Sequence, residues 1–228
     1  MRSPSLNASH LAAVLDAWPD AMRIERTASE LRDIASRAAL ELAAGRTGII
    51  DGLFAEMQSP SPTLHWNPAE SALEPPALRF LARYWEACPK IGGLPRSSLI
   101  DPLDLAPALG YVMLMEPVER SADFRYRVYG STIVEYSGVE MTGKCVWDIP
   151  VPQVAAYFVA TYKAVTDRRR PLFAHHRTHH HIQVAQWDRL VLPFVDEHGT
   201  VDRLLVGNVP SLRRPQRTGS DGRDRRAV

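Results

Sequence analysis

Hydrophobic positions fall first into helical spacing and then, past about residue 75, into short alternating runs. Leu31, Ile34, Ala35, Ala38 and Leu42 recur at intervals of three and four, which puts them on one stripe of an α-helix. Thr27-Ala28-Ser29-Glu30 ahead of them has the form of a capping box, and Gly45 is a natural stop. Ile49, Ile50, Leu53, Phe54 and Met57 repeat the helical period, and an earlier helix is expected from Leu11 to Trp18, ended by Pro19. Residues 1–58 are thus read as a helical extension. Ser59-Pro60-Ser61-Pro62-Thr63, then Pro68 and Pro75-Pro76, break the pattern, so 59–75 is expected to be a Pro/Ser-rich linker.

From residue 76 the texture changes. Leu78, Leu81, Ala82 and Trp85 predict one more helix, which must end before Pro89. Gly110 to Glu116 is an apolar run of strand length between Pro107 and Pro117. Phe124, Tyr126 and Val128 alternate with Arg125, Arg127 and Tyr129, the pattern of a half-buried strand. Ser131 to Tyr136 is helical in spacing and stops at Gly138. Pro152 suits the first turn of a longer helix whose stripe is Val154, Phe158, Tyr162 and Val165; Arg168-Arg169-Arg170 suit its negative end. Three strands follow, Leu172 to Ile182, Leu190 to Val195 and Leu204 to Val209, with Glu197-His198-Gly199 as a hairpin turn. The order implies an α+β fold: a five-stranded antiparallel sheet with helices over one face.

The 228 residues suit one domain plus an extension, and the 45% apolar and 23% charged content is ordinary for a globular chain. A net charge of +1 gives no reason to expect a nucleic-acid or membrane partner. Residues 213–228 carry six Arg against two Asp with almost nothing apolar, so 211–228 is expected to be a disordered basic tail. Cys88 and Cys145 form no closely spaced pair of the redox or zinc kind. With no membrane-length apolar run and no signal peptide to be read, a cytoplasmic location is expected.

The oddest string is His175-His176-Arg177-Thr178-His179-His180-His181. On a strand His175, Arg177, His179 and His181 share one face, and His176, Thr178 and His180 the other. Same-face imidazoles can converge on a metal, but the segment offers no Asp, Glu or Cys to complete a site. The plainer expectation is a solvent- or partner-facing strand, with no metal. A metal-binding sensor or small metal-dependent enzyme built on this strand is the alternative. No nucleophile elbow, zincin, P-loop or dinucleotide motif occurs, so the chain is not expected to be an enzyme.

Five strings follow one another in order. Leu78-Arg79-Phe80-Leu81-Ala82-Arg83-Tyr84-Trp85 comes first, then Leu94-Pro95-Arg96 with Ile100-Asp101-Pro102, and then Phe124-Arg125-Tyr126-Arg127-Val128-Tyr129-Gly130-Ser131. Gly138-Val139-Glu140-Met141-Thr142-Gly143-Lys144 is the fourth, and Leu190-Val191-Leu192-Pro193-Phe194 with Val201-Asp202-Arg203-Leu204-Leu205 the fifth. Together they span residues 76–210 and resemble the PAS domain, more narrowly the single-domain PAS proteins of alphaproteobacteria. The first string is similar to that family's leading helix, the fourth to a family loop and the fifth to its closing hairpin.

The resemblance implies a non-enzymatic sensor or adaptor that binds a small molecule, or a signalling protein, and transmits through flanking helices. It leaves the cofactor unknown. Haem ligation from the longer helix is disfavoured because residues 152–170 hold no His, only Tyr157 and Tyr162. Cys145 lacks the Asn-Cys-Arg setting of a flavin photoreceptor. The expected pocket lining is Tyr126, Val128, Tyr136, Trp147, Phe158 and Tyr162. Residues 1–58 would dimerise the chain or dock a partner, the expected state being a homodimer. A ligand-free interaction scaffold is a further alternative.

Overall fold

The computed structural model describes residues 26–118, 122–177 and 184–212. The expected helix at Leu11 to Trp18, His179 to His181 and the tail from residue 213 lie outside the described residues.

Helix α1 (Ala28–Ala43) starts where its capping box predicts. The Thr27 hydroxyl accepts from the Glu30 amide at 3.2 Å while the Thr27 amide donates to the Glu30 carboxylate at 2.7 Å. A second helix, α2 (Gly48–Glu56), buries Ile50, Leu53 and Phe54. Helix α3 (Pro76–Ala87) has Pro at its first turn and buries Leu78, Leu81 and Trp85. The short α4 (Ser131–Ser137) ends on Gly138 at φ +72°, a left-handed position that glycine fills without steric cost. Helix α5 (Pro152–Arg168) is buried over nearly its whole length, Val165 and Tyr162 included.

The strands are β1 (Thr63–Trp66), β2 (Lys90–Ile91), β3 (Leu94–Pro95), β4 (Val112–Val118), β5 (Asp123–Tyr129), β6 (Leu172–Arg177), β7 (Val184–Val195) and β8 (Val201–Leu212). Six form one antiparallel sheet in the order β1-β6-β7-β8-β4-β5, and β2 pairs β3 separately. The α+β class and the antiparallel sheet match expectation, with two particulars corrected. The sheet has six strands and not five, because Thr63–Trp66, inside the proline-rich stretch, pairs with β6 as an edge strand. Prolines outside a strand of four residues do not prevent its pairing at an edge.

The second correction concerns the helices, which are divided between the two faces. Leu78 and Leu81 of α3 press on Gly207 of β8, where an added Cβ would lie 2.5 and 2.6 Å from their methyl carbons. Asn208, the next residue along β8, points the other way, toward α5. Helix α1 in turn packs along the outside of α5 with Leu31, Ala35, Ala38, Ala39 and Leu42 buried. The apolar stripe of the N-terminal extension is therefore covered by the chain itself. Its small residues permit that close approach of two helices.

Candidate functional site

The space between the sheet and α5 holds a cluster of rings and polar groups from five elements. Phe54 (α2) meets Tyr157 (α5) edge-on at 4.9 Å between centroids, and Tyr157 meets His176 (β6) at 5.6 Å. Phe158 lies 6.0 Å from His176 and 6.3 Å from Tyr162. The Arg189 guanidinium (β7) sits 3.6 Å from the centre of the Phe158 ring, a cation–π contact. Arg189 Nε donates to the Asn208 side-chain oxygen at 3.2 Å.

Strand register explains why these groups meet. His176 stands opposite Trp187, and Arg189 stands opposite both Ala174 and Asn208, so all share the face toward α5. His175 and Asp188 alternate to the other face, where the imidazole Nδ1 lies 2.6 Å from the carboxylate. His175 and His176, the two histidines of the run among the described residues, thus fall on opposite faces as strand alternation predicts. One departure follows: His176 is 7% exposed and belongs to the core, not to a solvent-facing strand. The carboxylate missing from the His segment arrives for His175 from the neighbouring strand. Among the described residues no group of three metal-ligating side chains is assembled.

The electrostatics are one-sided. Arg189 is 4% exposed and takes part in none of the ion pairs formed among the described residues. Burial, and secondarily the positive field of Arg189, holds the His176 imidazole well below its usual range. Burial pushes the Tyr157 and Tyr162 phenols up and Tyr129 to about 12, so all three stay protonated at neutral pH. Arg189 Nη1, His176 Nδ1 and the Tyr157 hydroxyl are buried without a hydrogen-bond partner among the described residues. The Tyr162 hydroxyl is directed toward Tyr126 without completing a bond of good geometry.

Of the six residues expected to line a pocket, Tyr126, Phe158 and Tyr162 come together here. The other three do not. Val128 is 37% exposed and turned to the other face, because a bulge between Leu114 and Met115 pairs Tyr126 with Met115 but Val128 with Leu114. Tyr129, opposite Met113, takes the inward position that strict alternation assigned to Val128 and meets Tyr126 edge-on at 5.2 Å. Tyr136 is half-buried on α4, and Trp147 is half-buried under Arg32 of α1, 4.9 Å from its guanidinium. Sequence reasoning missed Phe54, Arg189 and Asn208 as site residues; it weighed Tyr157 only as a haem ligand and His176 only within the histidine-rich strand. The signal for Arg189 was there: in Trp187-Asp188-Arg189-Leu190-Val191 it holds an inward position between Trp187 and Val191.

A surface groove of about 530 Å³ lies on the opposite face, lined in part by Trp85, Leu190 and Leu192. Its charges are already matched: Lys90 pairs with Glu86 at 2.8 Å, and Arg83 with Glu70 at 3.5 Å. Burial also raises the thiols of Cys88 and Cys145, so neither is an activated nucleophile. The interior cluster is the better site.

His176 makes stability pH-dependent with a definite sign. The unfolded chain takes up this proton near 6.5, the folded chain only at lower pH, so stability falls as pH drops through and below 6.5. The expected loss from this group is up to about 1.4 kcal/mol per pH unit there. Buried Asp123 and Asp188, whose carboxyls burial pushes up, act in the opposite sense. Comparing wild type with His176→Gln isolates the imidazole. Urea midpoints between about pH 7.5 and about pH 5.5 should fall more steeply for wild type, and parallel slopes would sink the assignment.

A family model described as "PAS domain" matches residues 73–208, about the span of the five strings. The search of curated proteins and the search of solved structures each returned no match.

Proposed function

The chain belongs to the PAS-domain family, and from that premise we propose that it is a cytoplasmic, non-enzymatic sensor that binds a small molecule between its sheet and α5. The observation that carries this reading is the contact of Phe54 with the polar-aromatic cluster, 4.9 Å from Tyr157 and 6.3 Å from His176. Helix α2 thereby touches the same rings that a ligand would touch. A ligand that displaces Tyr157 or His176 changes the seat of α2, and through α1 the surface offered to a signalling partner or to a second copy. Such a shift requires different ligand affinity in the two arrangements. The leading PAS helix, α3, lies across the sheet from the cluster and is a less direct route.

Native mass spectrometry of the untagged full chain tests the reading. A retained non-covalent mass, lost in Phe158→Ala, is expected; hydrogen exchange in residues 28–57 should slow when it is present. Phe54→Ala should keep the mass and lose that protection. A chain that carries no mass, whose α1 and α2 exchange identically in cell-metabolite extract and in buffer, would be a ligand-free scaffold.

A further inference from the structure

We propose that Arg189, His176 and Tyr157 form a buried receptor for the carboxylate of one small monocarboxylic acid. This rests on the interior-site reading and names the chemical class of its ligand.

The argument begins with charge. A guanidinium removed from water is stable only when paired, and a charge left unpaired is among the costliest features a core can contain. Arg189 is 4% exposed, with Asn208, a neutral amide, as its hydrogen-bond partner. Phe158 offers its ring face at 3.6 Å, which compensates part of the lost hydration but supplies no acceptor for Nη1. The adjacent carboxylate, Asp188, alternates to the other face and is taken by His175 at 2.6 Å. Even the connection between β6 and β7, Thr178 to Gln183, has no acidic residue in its sequence.

The neighbours decide what kind of anion fits. His176 Nδ1 and the Tyr157 hydroxyl are both buried without hydrogen-bond partners among the described residues. A phenol donates its proton, and a neutral imidazole donates from Nδ1 in one of its two tautomers. Together with Nη1 this makes three donors for the lone pairs of two carboxylate oxygens. One fixed positive charge matches one negative charge, so a monoanion neutralises the site where a phosphate dianion would leave excess charge. Ring separations of 4.9 to 6.3 Å are those of rings in mutual contact, so the body of the acid must displace a ring to enter, which restricts it to a short apolar chain.

The test uses the full chain, desalted into zwitterionic buffer, with thermal unfolding and calorimetry as readouts. The probes are sodium propionate, its neutral isostere propionamide, and chloride and phosphate at matched ionic strength. Propionate at about a hundredfold excess over its Kd should raise Tm by roughly 5–10 °C, and the other three should not. Arg189→Met should fold and bind propionate about a hundredfold more weakly, with Arg189→Lys restoring part of the affinity. Because the probe series is run on wild type, a variant that fails to fold does not decide the question.

Equal shifts from propionate and propionamide would overturn the carboxylate assignment while leaving an interior binding site standing. Equal shifts from chloride or phosphate, or propionate binding that survives in folded Arg189→Met, would overturn it as well. If propionate has no effect, the inference fails, and the retained-mass experiment decides separately whether the interior binds anything.

Discussion

Gly130→Ala is expected to destabilise the chain by about 3 kcal/mol, near the upper end for overpacking a close contact. At this chain length that corresponds to a fall in Tm of roughly 6–12 °C. The reason is not backbone conformation, since Gly130 sits at φ −62°, open to any residue. It is distance. A Cβ at Gly130 would lie 2.3 Å from the Gly110 carbonyl oxygen and 3.0 Å from the Val112 amide nitrogen. Both are backbone atoms: Val112 opens β4 and pairs with Gly207 of β8, and Gly110 lies in the tight turn Ala106–Tyr111 that leads into it. Val112 cannot step aside without disturbing the ladder, and Gly110 is tied to it two residues away. Gly110 is equally constrained, because its own Cβ would meet the Thr132 hydroxyl at 2.5 Å. Gly52 is the control: it lies inside α2 with nothing within 4 Å, so Gly52→Ala should be neutral or stabilising by up to about 1 kcal/mol. Urea denaturation of both variants decides it. A Gly130→Ala midpoint equal to wild type would show that this junction yields.

Ala39→Asp should also cost about 3 kcal/mol, and it tests whether α1 is part of the folded core. Ala39 is 0% exposed on the face that α1 lays against α5. Its neighbours on that face are Leu31, Ala35, Ala38 and Leu42, with no polar group among them. A carboxylate placed there must be protonated or must separate the helices, and either route lowers stability. If α1 folds with the sheet, the urea midpoint falls in a single transition seen alike by far-UV circular dichroism and by tryptophan fluorescence. Trp147 reports directly, because Arg32 of α1 stacks on it at 4.9 Å. An unchanged global midpoint, with only an early loss of helical signal, would instead make α1 and α2 a detachable appendage.

Much of this architecture was legible in the chain. The capping box at Thr27 and Glu30, the proline at the start of α5 and the glycine after α4 act locally, within one turn of the backbone, so spacing alone reveals them. The hairpin of β7 and β8 was equally plain, because Asp196 accepts from the His198 and Thr200 amides at 2.9 and 2.8 Å and Gly199 takes φ +82°. The extent of β7 was not plain. Gln186, Asp188 and Arg189 lie outside the strand expected from Leu190 to Val195, and a strand this polar is stable only because β6 and β8 flank it on both sides. The same holds for Thr63–Trp66, whose partner lies more than a hundred residues along the chain.

The candidate site shows where that boundary falls. Hydrophobic period and turn chemistry determined, from the sequence by itself, an α+β chain with Phe158 and Tyr162 on the inner stripe of its long helix and Tyr126 on an inward strand position. These are short-range facts, settled by which side of a helix or strand a residue occupies. Only the tertiary structure decided that one bulge in the β4–β5 ladder sends Val128 outward and Tyr129 inward. Strand pairing alone sets His176, Arg189 and Asn208 on one face and leaves Asp188 on the other. The stripe of α1, in a segment expected to dimerise the chain or dock a partner, packs on α5. Register and packing are agreements between distant segments, and the Arg189 charge, in no ion pair among the described residues, follows from such an agreement.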